Sequence, residues 1–201
     1  MSQIKLLHSG GNGVILAAPD NNPASDRTLK LPGDADGTIA TTANAGKILQ
    51  VVQTVKKDRT TIQSTTLVDI AGMSVTITPS SSSNKVLIRY CVSAFTNNQY
   101  WSMRLLRGSD STIFIGDQNP SATSQNRGSF GSFMSSYVDG RSVTQELLDS
   151  PNTTSATTYK LQAHTPYASS YIIGINSSPT LDNYTYMTNC VSTITAMEVA
   201  A

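Results

Sequence analysis

Charge is scarce in this sequence. Of 201 residues only 13% are Asp, Glu, Lys or Arg, about half the usual share for a soluble domain. Lys and Arg number 14 against 13 Asp and Glu, a formal charge of +1. With no basic field to draw in phosphates, nucleic acid is not an expected partner. Histidine is limited to His8 and His164, glutamate to Glu146 and Glu198, tryptophan to Trp101. No G-x-S-x-G elbow occurs, and "GSFGS" at 128–132 lacks the lysine and the strand-to-helix setting of a phosphate cradle. Cys91 and Cys190 fit no metal-ligand spacing, so they are expected as two inert thiols packed in strands. No apolar run is long enough for a signal peptide or a membrane span, so synthesis in a cytoplasm without membrane insertion is expected. The N-x-S/T triplets at Asn152, Asn176 and Asn183 then read as products of composition.

Ser, Thr, Asn and Gln fill the space that charge leaves. A disordered chain of that polarity has few β-branched residues and a large net charge. Here Val, Ile and Thr recur in alternating runs, which points to strands with hydroxyl-rich faces. Residues 1–45 read as short strands cut by Gly, Pro, Asn and Asp: "IKLL", "VILA", "TLKL" and "TIATT". Apolar residues sit two apart in them, as Ile4 and Leu6, Val14 and Leu16, Leu29 and Leu31 do. Too few large side chains are present for a core of its own, so this segment is expected to be an assembly element.

Residues 46–201 carry longer strands with turn signals between them and no convincing amphipathic helix, the pattern of an all-β antiparallel sandwich or barrel. "SVTQELLDS" alone suggests a helical turn. In "KVLIRYCVSAF", Val86, Ile88, Tyr90, Val92 and Ala94 share one face, and Leu87, Arg89, Cys91, Ser93 and Phe95 the other. In "KILQVVQTV", Ile48 and Val52 face one way and Leu49, Val51 and Val55 the other. A sandwich strand that meets water should not be apolar on both sides, so a second subunit is expected to cover the outer face.

Catalysis has little raw material. A glycosidase needs paired carboxylates, and Asp117, Asp139, Glu146 and Asp149 sit in apparent turns; no enzyme, metal or cofactor is expected. His164 reads as the cap of a strand end and "KKDR" at 56–59 as a solvated turn. Trp101 shares a face with Met103 and Leu105 and is expected in the core. Recognition residues are sought in loops on the rigid scaffold: Asn97, Asn98 and Tyr100 in one loop, Tyr167 and Tyr171 around "YASSY", and Asn183, Tyr184 and Tyr186 after "SSPTLD". "GDQNPSATSQNRG" at 116–128 has the composition of a further exposed loop.

Several stretches resemble the small tail-fibre proteins of tailed bacteriophages, particularly those of marine and cyanobacterial phages. "SGGNGVILAAPDNNPASDRTLKLPGDADGTIATT" looks like their stalk motif, and "AGKILQVVQTVK" like the strand leading into the fibre head. "LLDSPNTTSATTYKLQA" and "STITAMEVAA" resemble the head's late strands. The resemblance implies a homotrimer with an intertwined β stalk (1–45) and a jelly-roll head (46–201). It implies a virion location and a role in host adsorption, with other tail or capsid proteins as partners; the hypothesis built on it is that the loops above meet a host-surface glycan. The stalk-like motif starts almost at Met1, so attachment to the virion falls to the first residues, Ile4, Leu6 and Leu7, or the trimer caps a fibre made by another chain. A capsid or tail decoration without receptor contact is the alternative.

Overall fold

Alternation of period two decides which way each side chain points, and pairing follows from it. The computed structural model describes residues 3–7, 10–11, 13–17, 47–97, 100–108, 111–112, 130–133, 139–165, 170–178 and 188–201. Every regular element among the described residues is a strand, and every pairing is antiparallel. In chain order these are β1 (Gln3–Leu7), β2 (Gly13–Ala17), β3 (Ile48–Lys56), β4 (Thr60–Ile62), β5 (Val68–Ile77), β6 (Lys85–Thr96) and β7 (Tyr100–Arg107). They continue with β8 (Ser111–Thr112), β9 (Phe130–Phe133), β10 (Asp139–Asp149), β11 (Thr157–His164), β12 (Ile173–Ile175) and β13 (Ser192–Val199). The chain divides into two compact units, Met1–Ala45 and Gly46–Ala201. In the first, β1 and β2 form a hairpin with Ile4 opposite Leu16 and Leu6 opposite Val14. The expected strands "TLKL" and "TIATT" lie outside the described residues.

The second unit has two sheets. In the first, β6 is the long central strand; β10 covers one edge along its whole length, while β13 and β12 share the other edge end to end. Beyond them β3 pairs with β13 and β4 with β12. The second sheet runs β5–β11–β7, with β8 and β9 sharing the free edge of β7. If β3/β4, β8/β9 and β12/β13 are each taken as one interrupted strand, eight positions remain. The first then pairs with the eighth, the second with the seventh, the third with the sixth and the fourth with the fifth.

The inner faces interlock in one core. Val86, Ile88, Tyr90, Val92 and Ala94 of β6 are buried as their alternation requires, against Met73, Val75 and Ile77 of β5 and Leu161 and Ala163 of β11. Trp101, Met103 and Leu105 fill the middle from β7. Burial of side chains of this size is the main source of stability, at about 1.5–3 kcal/mol for each large aliphatic group.

The structure corrects two local readings. "SVTQELLDS" lies in strand β10, not in a helical turn: Gln, Glu and Leu favour helix, but eleven residues of register with β6 override that preference. β5 runs unbroken through Ala71 and Gly72. "KKDR" is solvated only from Lys57 onward; Lys56 ends β3 fully buried, and its Nζ donates to Asp58 Oδ2 at 2.7 Å. That hydrogen bond holds the exposed Asp58 carboxyl below its usual range.

Where β3 breaks into β4 and β12 into β13, one side chain holds both gaps. Asn176 is fully buried and adopts the left-handed conformation with φ 64°. Its Nδ2 donates to the carbonyls of Lys56 (2.9 Å) and Asp58 (3.0 Å), and its Oδ1 accepts from Ser192 Oγ at 2.6 Å. Its backbone N–H reaches Ser93 O, and its carbonyl accepts from Cys190 N. Asn176 and Cys190 are thus tied together in a closed neck; Asn183, Tyr184 and Tyr186, which lie between them in sequence, fall outside the described residues. Gly174 sits just before it, where a Cβ would lie 2.4 Å from the carbonyl oxygen of Ser177.

Candidate functional site

Two of the stretches that carry recognition candidates, those of Asn97 and Tyr171, meet at one end of the strands in the second unit. At the near end Ala200 N donates to Lys47 O (2.7 Å) and Ala201 N to Asn84 Oδ1 (3.2 Å). At the far end β6 gives way to β7, and β11 to β12. Asn97, Tyr100 and Tyr171 all lie at this far end, which brings residues of two separate candidate loops together. Asn97 belongs to the framework: its Oδ1 accepts from Ile172 N at 2.8 Å, and its N–H donates to Ile172 O. Tyr100 opens β7 and is 38% exposed; Tyr171 is half-buried. Asn98, Tyr167, Asn183, Tyr184 and Tyr186 fall outside the described residues, as do His8 and the segment 116–128. Ile4, Leu6 and Leu7 lie in β1, in the first unit.

His164 ends β11, buried, with Nδ1 3.1 Å from Thr65 O. Among the described residues no three His, Cys, Asp or Glu come together as a metal site. Glu146 and Asp149 stand in β10 rather than in turns and point to opposite faces, because they are three positions apart on a strand. Glu146 pairs with Arg89 on the outer face at 3.3 Å, whereas Asp149 turns inward. They form no catalytic pair. Cys91 lies in β6, but Cys190 precedes β13 rather than sitting in a strand; both are half-buried free thiols.

The outer faces of the two sheets differ in kind. On the second sheet Arg104 donates from Nε and Nη2 to Gln162 Oε1, Gln162 donates to Asp69, and Lys160 pairs with Asp69 at 2.9 Å. Hydrogen bonds from Gln162 and then Lys160 hold the Asp69 carboxyl below its usual range. Thr76 and Thr158 share a hydrogen bond beside this ladder. Such a face is made for water.

On the first sheet, register places Val51, Met197, Leu87 and Leu148 in one row across all four strand positions. Val51 is 58% exposed and Leu148 49%, and Leu49 and Ile48 beside them are about half exposed. The next row, Gln53–Thr195–Arg89–Glu146, is polar and self-neutralised. Ile48 is exposed although Val52, on its face, packs against the core; the register shifts between Glu198 and Val199 opposite it. A row of large apolar groups across the outer face of a sheet is a candidate association surface.

Two buried polar clusters escaped the sequence reading. Glu198 is 1% exposed, and among the described residues it is held by hydrogen bonds rather than an ion pair. It accepts from Ser80 N and Oγ (each 2.7 Å), Asn84 Nδ2 (2.6 Å) and Gln50 Nε2 (2.6 Å). Burial alone would raise its pKa, but the donors outweigh burial and hold the carboxyl at about 2. The signal was present in the alternation, since Ile194, Ala196 and Glu198 share a face. In the other cluster, Tyr159 OH donates to Asp149 Oδ2 at 2.7 Å and Arg107 pairs with the same carboxylate at 2.8 Å. Burial, then the Asp149 charge, pushes the Tyr159 phenol far above its ordinary value. Nothing local in the sequence joins residues 107, 149 and 159.

Among the described residues these features define an all-β antiparallel architecture with one apolar row on the outer face of one sheet. No protein-family model matches the chain, and no curated protein does. Among solved structures it is similar to the tripod (BppUct-A-L) from the baseplate of bacteriophage Tuc2009. The identity is 10%, over 94% of this chain and 84% of that one, with a TM-score of 0.26. A likeness this loose defines neither a shared topology nor a shared role.

Proposed function

We propose that this protein is a virion appendage of a tailed bacteriophage, a homotrimeric tail fibre whose head contributes to host-surface recognition. It is a structural protein and not an enzyme. The observation that carries the reading is the Val51–Met197–Leu87–Leu148 row, which needs companion copies to leave water. The stalk-like sequence motif supplies the number three and the virion.

The head is a jelly roll. Support comes from the pairing of first strand with eighth, second with seventh, third with sixth and fourth with fifth, which is one long hairpin rolled into two sheets. Residues 1–45 serve as stalk, with Ile4, Leu6 and Leu7 in its first strand meeting another virion protein. Because Lys47 begins the head at the near end, the loops around Tyr100 and Tyr171 lie farthest from that junction along the strands. They are where a host glycan is met.

The framework role of Asn97 favours a second reading, a capsid or tail decoration with no receptor contact, since that side chain is already committed within the head. Adsorption separates the two. Purified protein is expected to compete with virus for host cells, and Tyr100→Ala with Tyr171→Ala to weaken competition about tenfold, as for truncation of aromatic contacts. Undiminished competition by the double variant, or none by the parent, supports the decoration.

A further inference from the structure

At the near corner, where β7 and β10 end and β11 begins, an open groove of about 490 Å³ is lined by Arg107, Pro151, Thr153, Thr157, Thr158 and Lys160, among others. Arg107 is fixed there from one side only. Its Nη1 donates to both oxygens of Asp149 (3.0 and 2.8 Å) and to Ser150 O (3.1 Å). Behind it Asp149, with an 11% exposed side chain, is held by the fully buried Tyr159. The guanidinium is thus pre-set by a rigid support. Its Nε and Nη2 have no hydrogen-bond partner among the described residues, and its side chain is one-third exposed. This planar pair of donors matches a carboxylate in geometry and charge.

The hydroxyls beside it are oriented too. Thr153 Oγ1 accepts from Ser155 N, which leaves its O–H to donate, while Thr157 Oγ1 donates to Ser155 O and keeps its lone pairs. Thr158 shares its hydroxyl with Thr76. Across the groove, Lys160 adds positive charge that Asp69 shares. Pro151 and Ala156 supply apolar surface for a sugar ring.

We propose that this groove binds an acidic sugar, a uronic acid unit whose carboxylate pairs with the Nε–Nη2 edge of Arg107 and whose ring hydroxyls meet the threonines. The site requires neither the trimer nor the far-end loops, so it stands or falls separately from the virion reading. One charge-assisted pair on a nearly neutral corner gives weak binding, on the order of millimolar.

The test is amide NMR of the ¹⁵N-labelled full chain titrated with glucuronate, glucose and glucose 6-phosphate. Glucuronate is expected to shift the amides of Gly108, Thr153, Ala156 and Thr158 with saturation, and glucose to shift them at least several-fold less. Arg107→Lys retains the charge for Asp149 but loses the fork; it is expected to weaken glucuronate binding about tenfold or more. Ala156→Trp fills the groove without touching the Asp149 cluster and should abolish the shifts, with the remaining spectrum reporting an intact fold. Absent shifts, equal response to glucose, or full glucuronate binding in both variants overturns the proposal. Tighter binding of glucose 6-phosphate overturns the carboxylate assignment.

Discussion

Glu198 shows how a single buried carboxylate ties acid stability to one strand. Its folded pKa, about 2, lies below the ordinary 4.5. Its contribution is therefore complete above pH 4.5 and is lost as pH falls from there toward 2. Discounted for solvent screening, that shift corresponds to about 1–3 kcal/mol. Glu198→Gln turns an amide N–H₂ toward donors from Ser80, Asn84 and Gln50, so it is expected to destabilise by about 2–3 kcal/mol at pH 7. Parent and variant should converge as pH approaches 2. Urea unfolding at a series of pH values checks this, and a constant gap down to pH 2 would contradict it. This carboxylate joins β13 to the 78–84 turn at the same end that holds Lys47 and Ala201.

At the scale of elements, two glycines separate clashes that can relax from clashes that cannot. A Cβ on Gly174 would meet the carbonyl oxygens of Ser177 and Ser178 at 2.4 and 2.6 Å, atoms of the backbone turn that closes the Asn176 neck. One on Gly140 would meet the Phe95 ring at 2.2 Å, on the half-buried outer face where the ring is able to swing. Gly174→Ala is expected to cost about 3 kcal/mol and Gly140→Ala about 1 kcal/mol. The second cost should disappear in a Phe95→Ala background while the first persists. Thermal unfolding of the five variants measures both, and equal costs would mean that the neck is soft.

Elements were legible in proportion to how locally they are determined. β6 showed both faces in its own alternation, and Trp101 went to the core with Met103 and Leu105 as their spacing required. β10 was misread because its residues prefer helix and its strand form depends on β6, some fifty residues earlier. Lys56 looked solvated beside Lys57, Asp58 and Arg59, since nothing local reveals that Asn176 closes over its carbonyl. The Arg107–Asp149–Tyr159 cluster is assembled only when three strands meet. Of the loop candidates, the shared far end of Asn97, Tyr100 and Tyr171 followed from strand order, which sequence spacing does not contain.

For the whole molecule, the decisive asymmetry lies between a polar outer face on one sheet and an apolar row on the other. Val51 and Leu148 stand at opposite ends of that row, each about half exposed. Charges there would meet like charges from neighbouring copies in a dry interface. Val51→Lys with Leu148→Lys should therefore break the assembly while leaving the core, which neither residue enters, intact. Sedimentation equilibrium of the full chain and of this double variant is the most direct measurement. The parent is expected at three times 21.4 kDa and the variant at 21.4 kDa with an unchanged strand signature. A parent that sediments as a single 21.4 kDa chain at working dilution would contradict the account.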